Sequence, residues 1–207
     1  MRSTRVVKVG GSLLDCADLV RALGVWLGQQ PPGHFVFVAG GGKLARWVQE
    51  AEARFGLSEE ITHWLCIDAM SVTARLLASL LGDVPLDDDF DAVRRTIGNP
   101  TGDARKVIVF DAAPFLYQHE ATTPGDPLPR NSTVTSDSIA ARVAAVLGPV
   151  PLVLLKSADP PAEPTRRRAV DAGYVDKHFE RAARQVSSVT CVNLRGGSWE
   201  AVELRQQ

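Results

Sequence analysis

Residues 5–12 read Arg5-Val6-Val7-Lys8-Val9-Gly10-Gly11-Ser12, and residues 35–43 read Phe35-Val36-Phe37-Val38-Ala39-Gly40-Gly41-Gly42-Lys43. In each stretch a valine-rich, β-prone run meets consecutive glycines and then an amphipathic helical pattern. A turn of this kind lets backbone N–H groups converge on an anion at a helix N-terminus, where the dipole adds to the attraction. One such turn is common. Two of them, with a lysine inside the first strand, point to phosphate chemistry between them.

Outward from these turns, strand and helix signals alternate. The pattern predicts strands at about 5–9, 34–39, 106–110, 151–156 and 188–193. It predicts helices at 16–29, 43–55, 59–82 and 137–147, the third opening after Ser58 as N-cap and the last after Ser136 or Thr135. Segments 82–104 and 119–134, rich in Pro, Gly, Asp and Thr, read as loops or a lid. Such alternation predicts an α/β fold, a three-layer α/β/α sandwich with a mainly parallel sheet.

At 207 residues the chain suits one domain with a substantial core. A net charge of −1 argues against broad electrostatic binding to nucleic acid. Cys16, Cys66 and Cys191 are odd in number and widely spaced, which fits neither a disulfide framework nor a zinc site. With no apolar targeting segment and no run of transmembrane length, the expected setting is a reducing cytoplasm, away from membranes.

Other readings of the second turn fit less well. Gly40-Gly41-Gly42-Lys43-Leu44-Ala45 satisfies a loose G-x-G-x-x-A dinucleotide pattern. That fingerprint wants an acidic residue ending another strand about 20 residues on, and here Glu59-Glu60 open a helix instead. A Walker loop would need Ser or Thr after Gly42-Lys43, where Leu44 stands. Glycines serving only a tight turn would explain either loop alone, but the pair poorly.

Four segments taken together resemble the amino-acid kinase superfamily, the fold of acetylglutamate, aspartate, uridylate and isopentenyl phosphate kinases. They are Val7-Lys8-Val9-Gly10-Gly11-Ser12, Val38-Ala39-Gly40-Gly41-Gly42, Thr135-Ser136-Asp137-Ser138-Ile139-Ala140 and Leu152-Val153-Leu154-Leu155-Lys156-Ser157. Their order and spacing match over most of the chain. Thr135–Ala140 and Gly173-Tyr174-Val175-Asp176 look most like a branch tied to methanopterin and methanofuran pathways, whose archaeal relatives phosphorylate aminomethylfuran-methyl phosphate.

The resemblance implies a kinase using ATP and Mg2+, with an acceptor-binding part at about 1–134 and a nucleotide-binding part at about 135–207. Phosphoryl transfer needs positioning and cancellation of charge on the equatorial oxygens more than covalent help. Lys8 is then a fixed cation over the transferred group, and Asp137 orients it together with active-site water or metal. The amides of Gly10, Gly11 and Ser12 would hold the nucleotide phosphates, and those of Gly40, Gly41 and Gly42 the acceptor side. Thr135 or Ser136 would hydrogen-bond substrate, or cap the helix. Asp68 would face the acceptor pocket, and the base would lie near Lys156, Ser157 and Asp159.

Relatives commonly carry Asp-Gly where this chain has Ser157-Ala158-Asp159-Pro160-Pro161, and their second catalytic lysine has no clear counterpart. Lys156, Lys177 and the Arg166-Arg167-Arg168 cluster are the candidates. That departure keeps a non-catalytic nucleotide- or oxyanion-binding protein of the same fold as an alternative. The acceptor is expected to be a small phosphorylated or carboxylated metabolite. The best specific candidate is aminomethylfuran-methyl phosphate, the alternative uridylate or isopentenyl phosphate.

No protein metal ligands are assigned. His34, His63, His119 and His178 lack ligand spacing, and Asp87-Asp88-Asp89 reads as a solvated turn. Trp26, Trp47 and Trp64 are expected in a core or a subunit interface. The helix at 59–82 is too apolar for a one-face stripe, so it is expected to build a homo-oligomer, as in related kinases.

Overall fold

A computed structural model describes residues 3–98, 105–196 and 198–206. Its centre is β1 (Ser3–Val9), whose Val6, Val7 and Val9 are fully buried. A 3-10 turn at Gly11–Asp15 follows, then α1 (Leu19–Gln29), β2 (Gly33–Ala39), α2 (Gly42–Phe55) and the long α3 (Glu59–Leu80). Next come β3 (Leu86–Asp87), α4 (Phe90–Gly98), β4 (Lys106–Phe110), α5 (Ala113–Gln118) and α6 (Ser136–Val146). The chain ends with β5 (Leu152–Lys156), α7 (Arg166–Asp171), α8 (Phe179–Ala182), β6 (Val189–Asn193) and β7 (Ala201–Glu203).

The seven strands form one sheet in the order β3-β4-β2-β1-β5-β6-β7. Every pairing is parallel except β6 with β7. The sheet is covered on both faces, so β2 is buried along its whole length and reads as a continuous apolar run. Alternation along β1 sends Val6 to the face packed by α6 and α8, and Val7 and Val9 to the face packed by α1. This is the expected three-layer α/β sandwich.

After β1 the chain builds β2, β3 and β4 on one side, then crosses to β5 and β6 on the other. β1 and β5 thus flank a topological switch point, and the crevice beyond their carboxyl ends is the ligand position that doubly wound sheets favour. Lys8 pairs in register with Leu154, so Gly10 emerges beside Leu155 and Lys156.

Several sequence-based boundaries change. The helix expected at 16–29 starts at Leu19, because the chain first makes the 3-10 turn. Within the expected loop 82–104, β3 and α4 form, and residues 99–104 lie outside the described residues. The acidic run there is structural: Asp89 Oδ1 accepts from the amides of Asp91 and Ala92 and so caps α4. Segment 119–134 is tied down rather than loose. The buried Arg142 guanidinium donates to Glu120 Oε1 at 2.8 Å, to the Thr123 carbonyl at 2.7 Å and to the Pro124 carbonyl at 2.9 Å. Among the described residues no helix is long and apolar enough to cross a membrane.

Candidate active site

The first two glycine turns meet. A Cβ placed on Gly11 would lie 2.2 Å from the Gly42 amide nitrogen, and one on Gly40 would lie 2.7 Å from the Gly11 nitrogen. Only glycine permits this approach. Gly42 itself sits at φ +57°, a left-handed conformation that other residues disfavour. The contact joins the ends of β1 and β2 into one floor, from which α2 departs with no side chain capping its N-terminus. Its first-turn amides therefore remain available to a ligand.

Above this floor lies a cavity of about 290 Å³. Lys8, Gly10, Gly11, Ser12, Gly41, Gly42, Thr135, Ser136 and Lys156 line it, as sequence reasoning expected of a shared site. Its remaining wall comes from α2 and α3: Ala45, Arg46, Gln49, His63, Cys66, Ile67 and Met70. Among the described residues three cations, Lys8, Arg46 and Lys156, and no carboxylate border the space.

Behind the cavity, Asp137 bridges two lysines. Its Oδ1 lies 2.9 Å from Lys8 Nζ and its Oδ2 2.9 Å from Lys156 Nζ. Lys8 and Asp137 are buried, and Lys156 is only slightly exposed. Burial alone would raise the Asp137 pKa, but the two ammonium groups outweigh it and hold the carboxyl below its ordinary value. Burial pulls the Lys8 ammonium below the usual lysine value; attraction to Asp137 opposes this, and repulsion from Lys156 adds to it. One carboxylate shared by two ammonium groups leaves a net positive charge facing the cavity.

Among the three candidates for the second lysine, the structure brings only Lys156 to Asp137. Lys177 is exposed. Arg166 is buried with its guanidinium on the Ala183 carbonyl, Arg167 pairs with Asp171 and Glu180, and Arg168 pairs with Glu163.

Thr135 is the N-cap of α6: its Oγ1 accepts from the Asp137 amide at 3.3 Å and donates to Asp176 Oδ2 at 2.7 Å. Its hydroxyl proton is thereby committed. Ser136 Oγ lies beside Gly40 at the cavity wall.

Gly40 and Asp137 lie just behind the lining, and three further expected site residues, Asp68, Ser157 and Asp159, stand apart from it. Asp68 is exposed and accepts from the Tyr117 hydroxyl at 2.9 Å. His63, Cys66, Ile67 and Met70 occupy the cavity-facing side of α3 at i, i+3, i+4 and i+7, so Asp68 falls one position off that face. Ser157 Oγ bonds Ser12 Oγ at 2.8 Å, behind the lining. Asp159 accepts from Asn193 Nδ2 at 2.9 Å and borders a separate concavity with Pro160 and Pro161.

Sequence reasoning missed Arg46, Gln49, Cys66 and Met70, and gave His63 no part in the site. The available signal was phase: Arg46 and Gln49 lie one and two turns past Gly42. His63 Nδ1 lies 3.0 Å from the Asn131 carbonyl, which can only accept, so Nδ1 carries the proton and Nε2 is left as an acceptor. Burial lowers the His63 pKa, which keeps the ring neutral, and pushes the Cys66 thiol up to about 11. Of the tryptophans, Trp26 is in the core, Trp64 is half-buried and stacks on Tyr117 at 4.4 Å, and Trp47 is 65% exposed. Among the described residues no group of three His, Cys, Asp or Glu is placed to hold a metal ion.

Residues 3–160 match the amino acid kinase family. The chain belongs to that family. This kinase resembles several solved structures across nearly its whole length. The uridylate kinase of Archaeoglobus fulgidus superposes with a TM-score of 0.58 at 19% identity, covering 99% of this chain and 91% of the other. The UMP kinase of Ureaplasma parvum gives 0.65 at 14% identity, with 95% and 91% covered, and that of Bacillus anthracis 0.63 at 11%, with 98% and 99% covered. At these identities the likeness is one of fold. No curated protein matches the chain.

Proposed function

We propose that the protein is an ATP- and Mg2+-dependent kinase that transfers phosphate to a small phosphorylated metabolite. The observation that carries this reading is the Lys8–Asp137–Lys156 bridge opening on a glycine-floored cavity. Bound Mg2+–ATP would supply an activated phosphoryl group with part of its charge already neutralised. The chain's own residues supply the rest: Lys8 and Lys156 offset charge that grows on the equatorial oxygens, and Asp137 fixes both ammonium groups before the reaction begins. The floor suits a polyphosphate: close packing of the two glycine turns sets both at one cavity, and its Gly10, Gly11, Gly41 and Gly42 lining offers backbone amides without side chains in the way.

The acceptor side follows from the α2–α3 wall. Arg46 and the open N-terminus of α2 suit an anionic head group. Ile67, Met70, Val134 and Ile139 suit an apolar body, and neutral His63 suits a hydroxyl or amine donor on it. A volume near the lower end of ligand cavities favours a small molecule. An aminomethylfuran-methyl phosphate type of acceptor meets all three requirements; uridylate, the acceptor named for the structural neighbours, is the alternative.

A non-catalytic oxyanion-binding role drew its support from the missing second lysine. Lys156, 2.9 Å from Asp137, weakens that argument. The deciding experiment measures ADP release from Mg2+–ATP with aminomethylfuran-methyl phosphate, uridylate, isopentenyl phosphate and acylated amino acids. Faster release with one phosphomonoester supports the reading. Nucleotide binding without release for any acceptor would favour the binding role.

A further inference from the structure

Asp176 lies outside the cavity lining, yet it holds the residues on both sides of Asp137, Thr135 and Ser138. Its Oδ2 accepts from the Thr135 hydroxyl at 2.7 Å, the Thr135 amide at 3.2 Å and the Ser138 amide at 3.2 Å. Its Oδ1 accepts from the Ser138 hydroxyl at 2.6 Å and the His178 amide at 3.0 Å. Five donors converge on one carboxylate, and four of them belong to the turn that carries Asp137. A capping side chain normally satisfies one or two orphan amides. Two residues earlier, the Tyr174 carbonyl accepts from Lys156 Nζ, and the Tyr174 ring lies 4.5 Å below that ammonium. A single short segment, 174–176, thus grips both the second lysine and the helix end that binds it.

We propose that Asp176 is a positioning residue for phosphoryl transfer: it locks the first turn of α6 so that Asp137 spans Lys8 and Lys156 at once. The inference rests on the phosphotransferase reading for its kinetic consequence, but the geometry it asserts is independent of any substrate. Both lysines reach Asp137 from different strands, so a shift of the turn toward one lengthens its contact with the other. Holding them together requires a fixed turn, and the Asp176 carboxylate takes both the Thr135 and the Ser138 amides of that turn. Asp176 also adds negative charge near Lys8, which faces Asp137 from α6 and Lys156 from β5 as its other charged neighbours.

The test is Asp176→Asn, which keeps size but turns an NH2 group toward N–H donors. Circular dichroism first establishes folding. In protein labelled with 15N-lysine and free of ligand, the wild type should show slowly exchanging ammonium signals for Lys8 and Lys156, and the variant should lose them. With Mg2+–ATP and the best acceptor of the ADP-release panel, kcat should fall on the order of 100-fold, the scale of a misplacement of about 1 Å, with KM little changed. The alkaline limb of kcat should move to lower pH, since Lys8 loses a supporting charge; a merely structural role would leave that limb in place. Should Asp176→Asn fail to fold, Ser138→Ala removes one anchor and should give a smaller loss of kcat with the same signature. Unchanged ammonium signals or an unchanged kcat in the folded variant would overturn the proposal. A wild type that shows the signals but never releases ADP would instead refute the phosphotransferase reading and leave the positioning role standing.

Discussion

Gly11 and Gly42, 31 positions apart in the chain, sit so close that a single methyl group on the first would lie 2.2 Å from the backbone of the second. The nucleotide-side turn and the acceptor-side turn are therefore one packed unit. Substituting Gly11 cannot perturb one side alone. Gly11→Ala should weaken ATP and acceptor binding together and lower the melting temperature, as a forced backbone shift does. Calorimetry with ATP and with the acceptor, on the same folded variant, checks this. Selective loss of nucleotide affinity would show that the turns act separately.

Lys8→Ala should remove most turnover while leaving the fold. Lys8 acts where charge develops, and loss of one preorganised donor costs on the order of 100-fold in kcat. Lys156→Ala should give a comparable loss, because the same carboxylate holds both. Near-normal kcat in either variant, with unchanged circular dichroism, would refute that lysine's role.

Asp137 links stability to pH in a defined direction. Its folded pKa lies below the ordinary 3.8, so the stability it contributes is complete above that value and is lost as pH falls through the depressed one. Asp137→Asn leaves two ammonium groups without their partner and should cost about 3–5 kcal/mol at neutral pH, the scale for breaking a buried ion pair. Urea unfolding at several pH values should show this gap constant down to pH 3.8 and narrowing below it. A gap that is absent, or that closes near neutrality, would contradict the assignment.

The assembly prediction rests on α3. Ile61, Leu65, Val72, Leu76 and Leu80 are each at least 40% exposed and follow one stripe along the helix. A two-fold dimer would bury this stripe against its copy. Light scattering should report about twice the 22.3 kDa chain mass, and Leu76→Arg should shift it toward the monomer. A monomeric wild type at micromolar concentration would rule the dimer out.

The long elements were legible because burial imposes a period on them. β1, β2, β4, β5 and β6, with α2, α3 and α6, follow the apolar pattern to within a few residues. The short ones were not. α4, α5, α7 and α8 are too brief for periodicity to rise above their Pro, Gly and Arg content, and they form because neighbours pack or cap them, as Asp89 does for α4.

Lys8, Asp137 and the glycine turns carry local signatures that sequence alone determines: a cation at a strand end, a carboxylate in a helix's first turn, residues without Cβ between strand and helix. Which lysine partners Asp137 was a matter of tertiary structure. Lys156, Lys177 and the arginines differ little as text, and only the β1–β5 pairing, which sets Lys8 beside Leu154, brings Lys156 within reach. The same holds for Asp68, Arg46 and His63. Whether a helical residue faces a cavity depends on the helix's rotation about its axis, which distant packing fixes, so the sequence placed Asp68 in the pocket and the fold placed His63 there instead.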